Sequence, residues 1–290
     1  MRPKHYFLPW IVAVAAILLN EESFAGIANT NQLSCALEFQ EQLVTSLLEK
    51  NSFIIDRGLT AYSLFLPKIE GVGDLKSLVA TYRGRLHVID ASAGEAMTLR
   101  EILKEYDDLQ NATFSAYSYK KPDDDSLETD LELFKERFSY DSLNWDFITK
   151  KHLKRLRIKK AQLTLDVIGY AQYGSNLKLA IENLSMITKV GGLIGLGVIT
   201  ETFAPNHYSM RPSLEIVDQY GQKHSLKAYL EAVDGIRIIS SGYSKLASLE
   251  VGETFFLLKM KESVNAPALK ILTPTNLEGA PLNRKYLWVR

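Results

Sequence analysis

The chain has 290 residues, 46% hydrophobic and 23% charged, with 34 basic side chains balanced by 34 acidic ones. Such a composition fits an ordinary globular protein and excludes attraction to nucleic acid or an anionic surface through overall charge. With Cys35 as the single cysteine, an internal disulfide is excluded and stability must come from the core.

At the amino terminus Arg2, Lys4 and His5 precede an apolar run from Tyr6 to Leu19, and Ser23-Phe24-Ala25 places small residues where a signal peptidase would cut. Residues 1–25 therefore read as a signal peptide, which implies an exported, periplasmic protein. A bilayer-spanning helix needs about 20 apolar residues, so the run is short for one. An uncleaved anchor is the alternative, and membrane contact is expected only in that case. Residues 26–83 read as a helical region. An amphipathic helix over 32–49 carries Leu33, Leu37, Leu43, Val44, Leu47 and Leu48, with Cys35 on its packed face, and a shorter helix carries Leu75, Leu78 and Val79.

Leu86, Val88 and Ile89 then form a buried strand, and Leu99, Ile102, Leu103 and Tyr106 recur at helical spacing. Between them lies Asp90-Ala91-Ser92-Ala93-Gly94-Glu95-Ala96, whose small side chains let the backbone turn tightly and approach a ligand. The helix that follows offers free N–H groups at its start. A second strand, Thr113 to Tyr119, runs into Lys120-Lys121, and Asp125 or Ser126 would cap a helix bearing Leu127, Leu131 and Phe134. The basic run Lys150 to Lys160 could bind phosphate groups; lacking interleaved aromatics and facing the acidic stretch 123–136, it reads as a solvated surface instead.

Leu163 to Ile168 reads as a strand, with Leu177, Ala180, Ile181, Leu184 and Ile187 forming a helical stripe after it. Gly191-Gly192 is expected to stop that helix before a strand over Leu193 to Ile199, completing a β-α-β unit. Residues 200–222 read as a loop or insertion that would select substrate, and Ile236–Ser240 and Glu253–Met260 as closing strands. Residues 263–290 read as an extended tail, with a short strand at Leu269 to Leu272 and Tyr286-Leu287-Trp288-Val289 docking in an apolar groove. His87 reads as a core histidine and His152 as part of the basic run. His207 and His224 are candidates for a general base or a binding role. No histidine spacing fits a metal, and neither a Gly-x-Ser-x-Gly elbow nor a Walker loop is present.

The segments 88–96 and 165–173 together resemble the class I S-adenosylmethionine-dependent methyltransferases, whose first motif is an acidic residue followed by alternating glycines. The resemblance covers about residues 70–262 and implies an α/β, Rossmann-like fold over 84–262: a mainly parallel twisted sheet flanked by helices, with its last strand antiparallel. It implies S-adenosylmethionine as cofactor, without a metal, and cofactor contacts from Asp90, Ala91, Ser92, Gly94, Asp141 and Gly169. Asp166, Tyr170 and Tyr173 would then face the reacting centre, where orienting a small-molecule or protein acceptor carries most of the catalysis. Ser92 and Ala96 replace two motif glycines, and Lys120-Lys121 stands where an acidic ribose ligand is usual. Two functions follow from these matches and departures: methyl transfer to an unknown acceptor, or a catalytically inactive envelope binding module that retains the fold.

Overall fold

The computed structural model describes residues 58–82, 85–106, 109, 111–118, 121–145, 148–173, 176–202, 214–246, 250–272 and 284–289. The chain divides into two compact units, Met1–Ser52 and Phe53–Arg290, and every described residue belongs to the second. The expected signal segment, the helix over 32–49, Cys35, Tyr119, Lys120 and His207 lie outside the described residues.

Two short helices, α1 (Leu59–Phe65) and α2 (Leu75–Thr81), lead into β1 (His87–Asp90). Strand and helix then alternate through α3 (Met97–Glu105), β2 (Thr113–Ser118), α4 (Asp125–Leu133), β3 (Phe138–Ser142), α5 (Lys150–Arg155) and β4 (Ala161–Val167). A short α6 (Tyr170–Tyr173) and α7 (Leu177–Ile187) precede the long β5 (Thr188–Thr202). In β4 the residues Ala161, Leu163, Leu165 and Val167 are fully buried, as a parallel strand covered by helices on both faces requires. The apolar stripe predicted for α7 is buried as well, and the Asn176 side chain caps that helix by accepting from Leu179 N at 3.1 Å.

Two local expectations are corrected. The cap of α4 is Asp124, which accepts from the backbone N–H groups of Ser126 and Leu127, while Asp125 and Ser126 already lie inside the helix. Nor do Gly191-Gly192 stop α7, which ends at Ile187, so that both glycines lie within β5. Pairing with β4 slips between Ala161↔Thr188 and Leu163↔Leu193, so the glycines sit in a bulge. Gly191 has φ +77°, and a Cβ on Gly192 would lie 2.9 Å from the Gln162 carbonyl oxygen.

The main sheet has seven strands in the order β3-β2-β1-β4-β5-β9-β8, with β8 (Ile236–Leu246) and β9 (Glu250–Lys259) completing it. From β3 to β5 every pairing is parallel. Strand β9, the last of this sheet in sequence, runs antiparallel to both β5 and β8. A second sheet was not expected. It joins β6 (Leu214–Val217), from the supposed substrate loop, and β7 (Lys223–His224), just after it, to β10 (Leu269–Ile271) and β11 (Arg284–Trp288), from the supposed tail, in the order β10-β11-β6-β7. Tyr286 and Trp288 are therefore buried strand residues that share one core with Leu196, Ile216 and Tyr229 of α8 (Leu226–Glu231).

Candidate functional site

Because β1 and β4 are adjacent and parallel, with Asp90 opposite Leu165, Asp90 and Asp166 lie side by side at the carboxyl ends of their strands. Strand order reverses here: the chain winds outward through β2 and β3 on one side and through β5 on the other. In open α/β sheets this is where ligands bind.

Both carboxylates are buried and engaged by the protein itself. Asp90 accepts from the Tyr62 hydroxyl of α1 at 2.9 Å and from Ser92 N at 3.1 Å. Asp166 accepts through Oδ1 from the Ser92 hydroxyl at 2.9 Å and Tyr170 N at 2.6 Å, and through Oδ2 from Ala171 N at 2.7 Å. It thus holds the start of α6 and ties the β1 loop to the β4 loop. Tyr170 N also approaches Ser92 Oγ at 2.7 Å. The fit leaves no room for a side chain at Gly169, where a Cβ would overlap Ser92 Cβ, Ser92 Oγ and Asp166 Oδ1. Ile168 turns the chain into this contact with φ +49°, and its N–H donates to the Gly197 carbonyl at 2.7 Å.

The backbone of the β1 loop is equally committed. Ala91 N donates to Leu165 O and Ala93 N to Tyr117 O, each at 2.8 Å, and Ala96 N turns back to Ala93 O at 2.7 Å. The Ala91 carbonyl accepts from the Trp145 indole N–H at 2.7 Å, and the Gly94 carbonyl accepts from the Tyr140 hydroxyl. Gly94 and Ala96 both take left-handed conformations, with φ +56° and +61°. For Gly94 this costs nothing, whereas Ala96 pays for its Cβ.

An aromatic stack closes the same place. Trp145 lies 5.8 Å from Tyr170 in a stacked arrangement and 5.6 Å edge-on from Tyr117. The Tyr170 hydroxyl donates to the Trp145 carbonyl at 3.2 Å and is met by Asn183 Nδ2 at 3.4 Å. Burial, reinforced by the charge of Asp141, pushes the Tyr117 phenol up to about 12, so it is protonated at neutral pH and is no general base. Asp141 itself is exposed on β3, opposite Tyr117, and Tyr173 is exposed at the end of α6. Of the nine residues singled out from sequence, Asp90, Ala91, Ser92, Asp166, Gly169 and Tyr170 are brought together, with Gly94 bordering them through Tyr140. Tyr62, Tyr117, Tyr140 and Trp145 complete the cluster, and sequence reading missed all four.

The described histidines lie elsewhere. His87 is buried in β1 with Nδ1 at 3.0 Å from the Thr113 carbonyl, and burial lowers it to about 4. His224 packs edge-on against Trp288 and approaches Asp218 at 3.2 Å in the second sheet. Among the described residues no three His, Cys, Asp or Glu side chains are grouped to hold a metal, and no helix is long and apolar enough to cross a membrane.

No family model matches the sequence, and neither does any curated protein sequence. Solved structures that resemble it include the CMeT domain of the citrinin polyketide synthase, with 13% identity, a TM-score of 0.40, and coverage of 64% of this chain and 50% of that one. TYW2 of P. horikoshii in complex with MeSAdo follows at 14% identity and TM-score 0.35, covering 63% of this chain and 61% of that one. The [4+2]-cyclase SpnF has 9% identity and TM-score 0.45, with 77% and 94% covered. The chain thus spans 50% and 61% of the first two chains' lengths. Likeness this faint carries no argument about the site, and the fold rests on the sheet: five parallel strands ordered 3-2-1-4-5, then an antiparallel strand placed before the remaining one. This is the class I methyltransferase fold.

In a methyltransferase fold the β1 loop and the β4 loop border the cofactor crevice, so the residues there can be tested for fit to S-adenosylmethionine. They do not fit. The Ser92 side chain fills the contact with Gly169, and Trp145 and Tyr170 stack beside the Ala91 carbonyl that the indole already occupies. The polar groups suited to holding an amino acid portion are already bonded within the protein, Asp90 to Tyr62 and Ser92 to Asp166, and leaving a buried polar group unpaired costs about 1–3 kcal/mol.

Proposed function

We propose that this protein is a catalytically inactive binding module that retains the methyltransferase fold. The observation that carries the reading is the Ser92–Asp166–Gly169 contact, in which the two loops flanking the crevice are bonded to each other. A methyltransferase needs an open path for its cofactor and a place to align the acceptor with the transferred methyl group. Here the groups suited to both tasks serve as internal struts. The amino-terminal pattern from Arg2 to Ala25 supports export to the periplasm, where a binding role has no need of S-adenosylmethionine. Its partner would be a protein or a small molecule.

Methyl transfer is the competing function, favoured by Asp90 at the strand end and by the left-handed Gly94. The two are separated by thermal denaturation and isothermal titration with S-adenosylmethionine and its demethylated product. A ligand of the native state raises the melting temperature by mass action even when weak. The inactive reading expects neither heat nor a shift at about millimolar ligand.

A further inference from the structure

The opposite edge of the main sheet, where β1 and β4 begin, gathers the basic run that the candidate site leaves unused. Arg155 ends α5, Arg157 turns the chain with φ +52°, and Lys159 and Lys160 lead into β4. Hydrogen bonds tie these starts together: His87 N donates to the Gln162 side chain at 2.8 Å, and Gln162 Nε2 donates to the Arg85 carbonyl at 2.7 Å. Lys189 lies close by, following Thr188, which pairs with Ala161 at the start of β4. From β9, Lys259 Nζ reaches the Thr188 carbonyl at 2.9 Å, which brings Met260, Lys261 and Glu262 to the same edge.

Around the starts of β1, β4 and β5 the described charges are mostly positive. Of the acids near them, Glu262 and Asp234 are paired, with Lys160 at 2.6 Å and Lys261 at 2.7 Å, while Glu105, Glu136 and Glu231 stand farther along the edge, before β2, β3 and β8. Arg85, Arg155, Arg157, Lys159 and Lys189 form no ion pair among the described residues. In a chain with no net charge, this concentrates positive potential on one edge. Three apolar side chains stand exposed among these cations: Leu156 at 48%, Val190 at 45% and Met260 at 47%. In the described acidic helix α4, Asp130 is bound to Arg100 and Lys104, Glu128 to Lys121 and Glu132 to Lys135.

We propose that this edge is an interaction surface for an anionic phospholipid bilayer. Cations flanking exposed apolar side chains match a surface that presents phosphate headgroups above hydrocarbon. A nucleic acid would call for aromatic stacking platforms, and the exposed apolar groups here are Leu, Val and Met. The surface lies opposite the crevice and does not depend on whether that crevice binds a cofactor.

Hydrogen exchange of the full chain, followed in peptides spanning 150–160, tests this at the surface itself, apart from anything the amino-terminal segment does. Vesicles containing phosphatidylglycerol should protect those peptides, pure phosphatidylcholine vesicles should not, and about 0.5 M salt should abolish the effect. In an R155E/K159E/K189E variant the lipid needed for half-protection should rise by roughly a hundredfold. Exchange in β4 and α7 reports whether that variant is folded, and the salt arm on the unaltered chain stands if it is not. Absence of protection by anionic vesicles overturns the proposal, as does equal protection by phosphatidylcholine. Protection by soluble glycerol phosphate or by a short single-stranded RNA without lipid, or a folded variant that behaves as the parent does, would also contradict it.

Discussion

Gly169 is the residue on which the contact between the β1 and β4 loops depends most directly. Gly169→Ala forces a Cβ into Ser92 and Asp166, and overpacking of this kind should cost about 2–3 kcal/mol in urea denaturation. In a Ser92→Gly background the cost should fall by about 1 kcal/mol or more, since residues in direct contact are energetically coupled. Additive losses would mean that the two loops do not touch. His87 gives a second test, through pH. Its folded value of about 4 lies below the ordinary 6.5, so the unfolded chain binds the proton more readily. Stability from this residue is therefore complete above about pH 6.5, declines as pH falls towards 4, and is flat below. The change should reach about 3 kcal/mol, and His87→Gln should remove that slope from the pH profile of unfolding free energy.

Arg100 of α3 joins its helix to α4 by bonding Asp130 at 2.5 Å and Asp124 at 3.0 Å, with only 8% of its surface exposed. Arg100→Met keeps the aliphatic packing but leaves Asp130 with Lys104 alone. Breaking a buried pair by removing one partner should cost about 3 kcal/mol in chemical denaturation. The elements of the main sheet were legible in sequence because each carries its own period or apolar run, as in α7 and β4. The short strand at β10 was legible too, but the sheet it joins was not, because β6 and β7 have four and two residues, too short for a period, and the strands that pair are distant in sequence. Deleting residues 284–290 removes Tyr286 and Trp288 from the shared core. Faster hydrogen exchange should then appear in β6 and α8, with β1 and β4 unchanged.

At the scale of the whole molecule, the described β1 and β4 loops are bonded to each other at one edge of the main sheet, and cations gather at the opposite edge. The motif residues Asp90, Ser92, Asp166 and Gly169 were legible because small and acidic residues at a strand-to-helix turn form a local pattern. What fills the crevice was not legible. Tyr62 arrives from a helix before the sheet and Trp145 from the segment after β3, and no local pattern says where a loop tryptophan will stack. The central claim, that the crevice is occupied by the protein's own side chains, is tested most directly by isothermal titration of the full chain with S-adenosylmethionine. The account predicts no saturable heat up to about millimolar ligand, a range in which even a weak site registers. Saturable binding that Gly94→Val abolishes would contradict it.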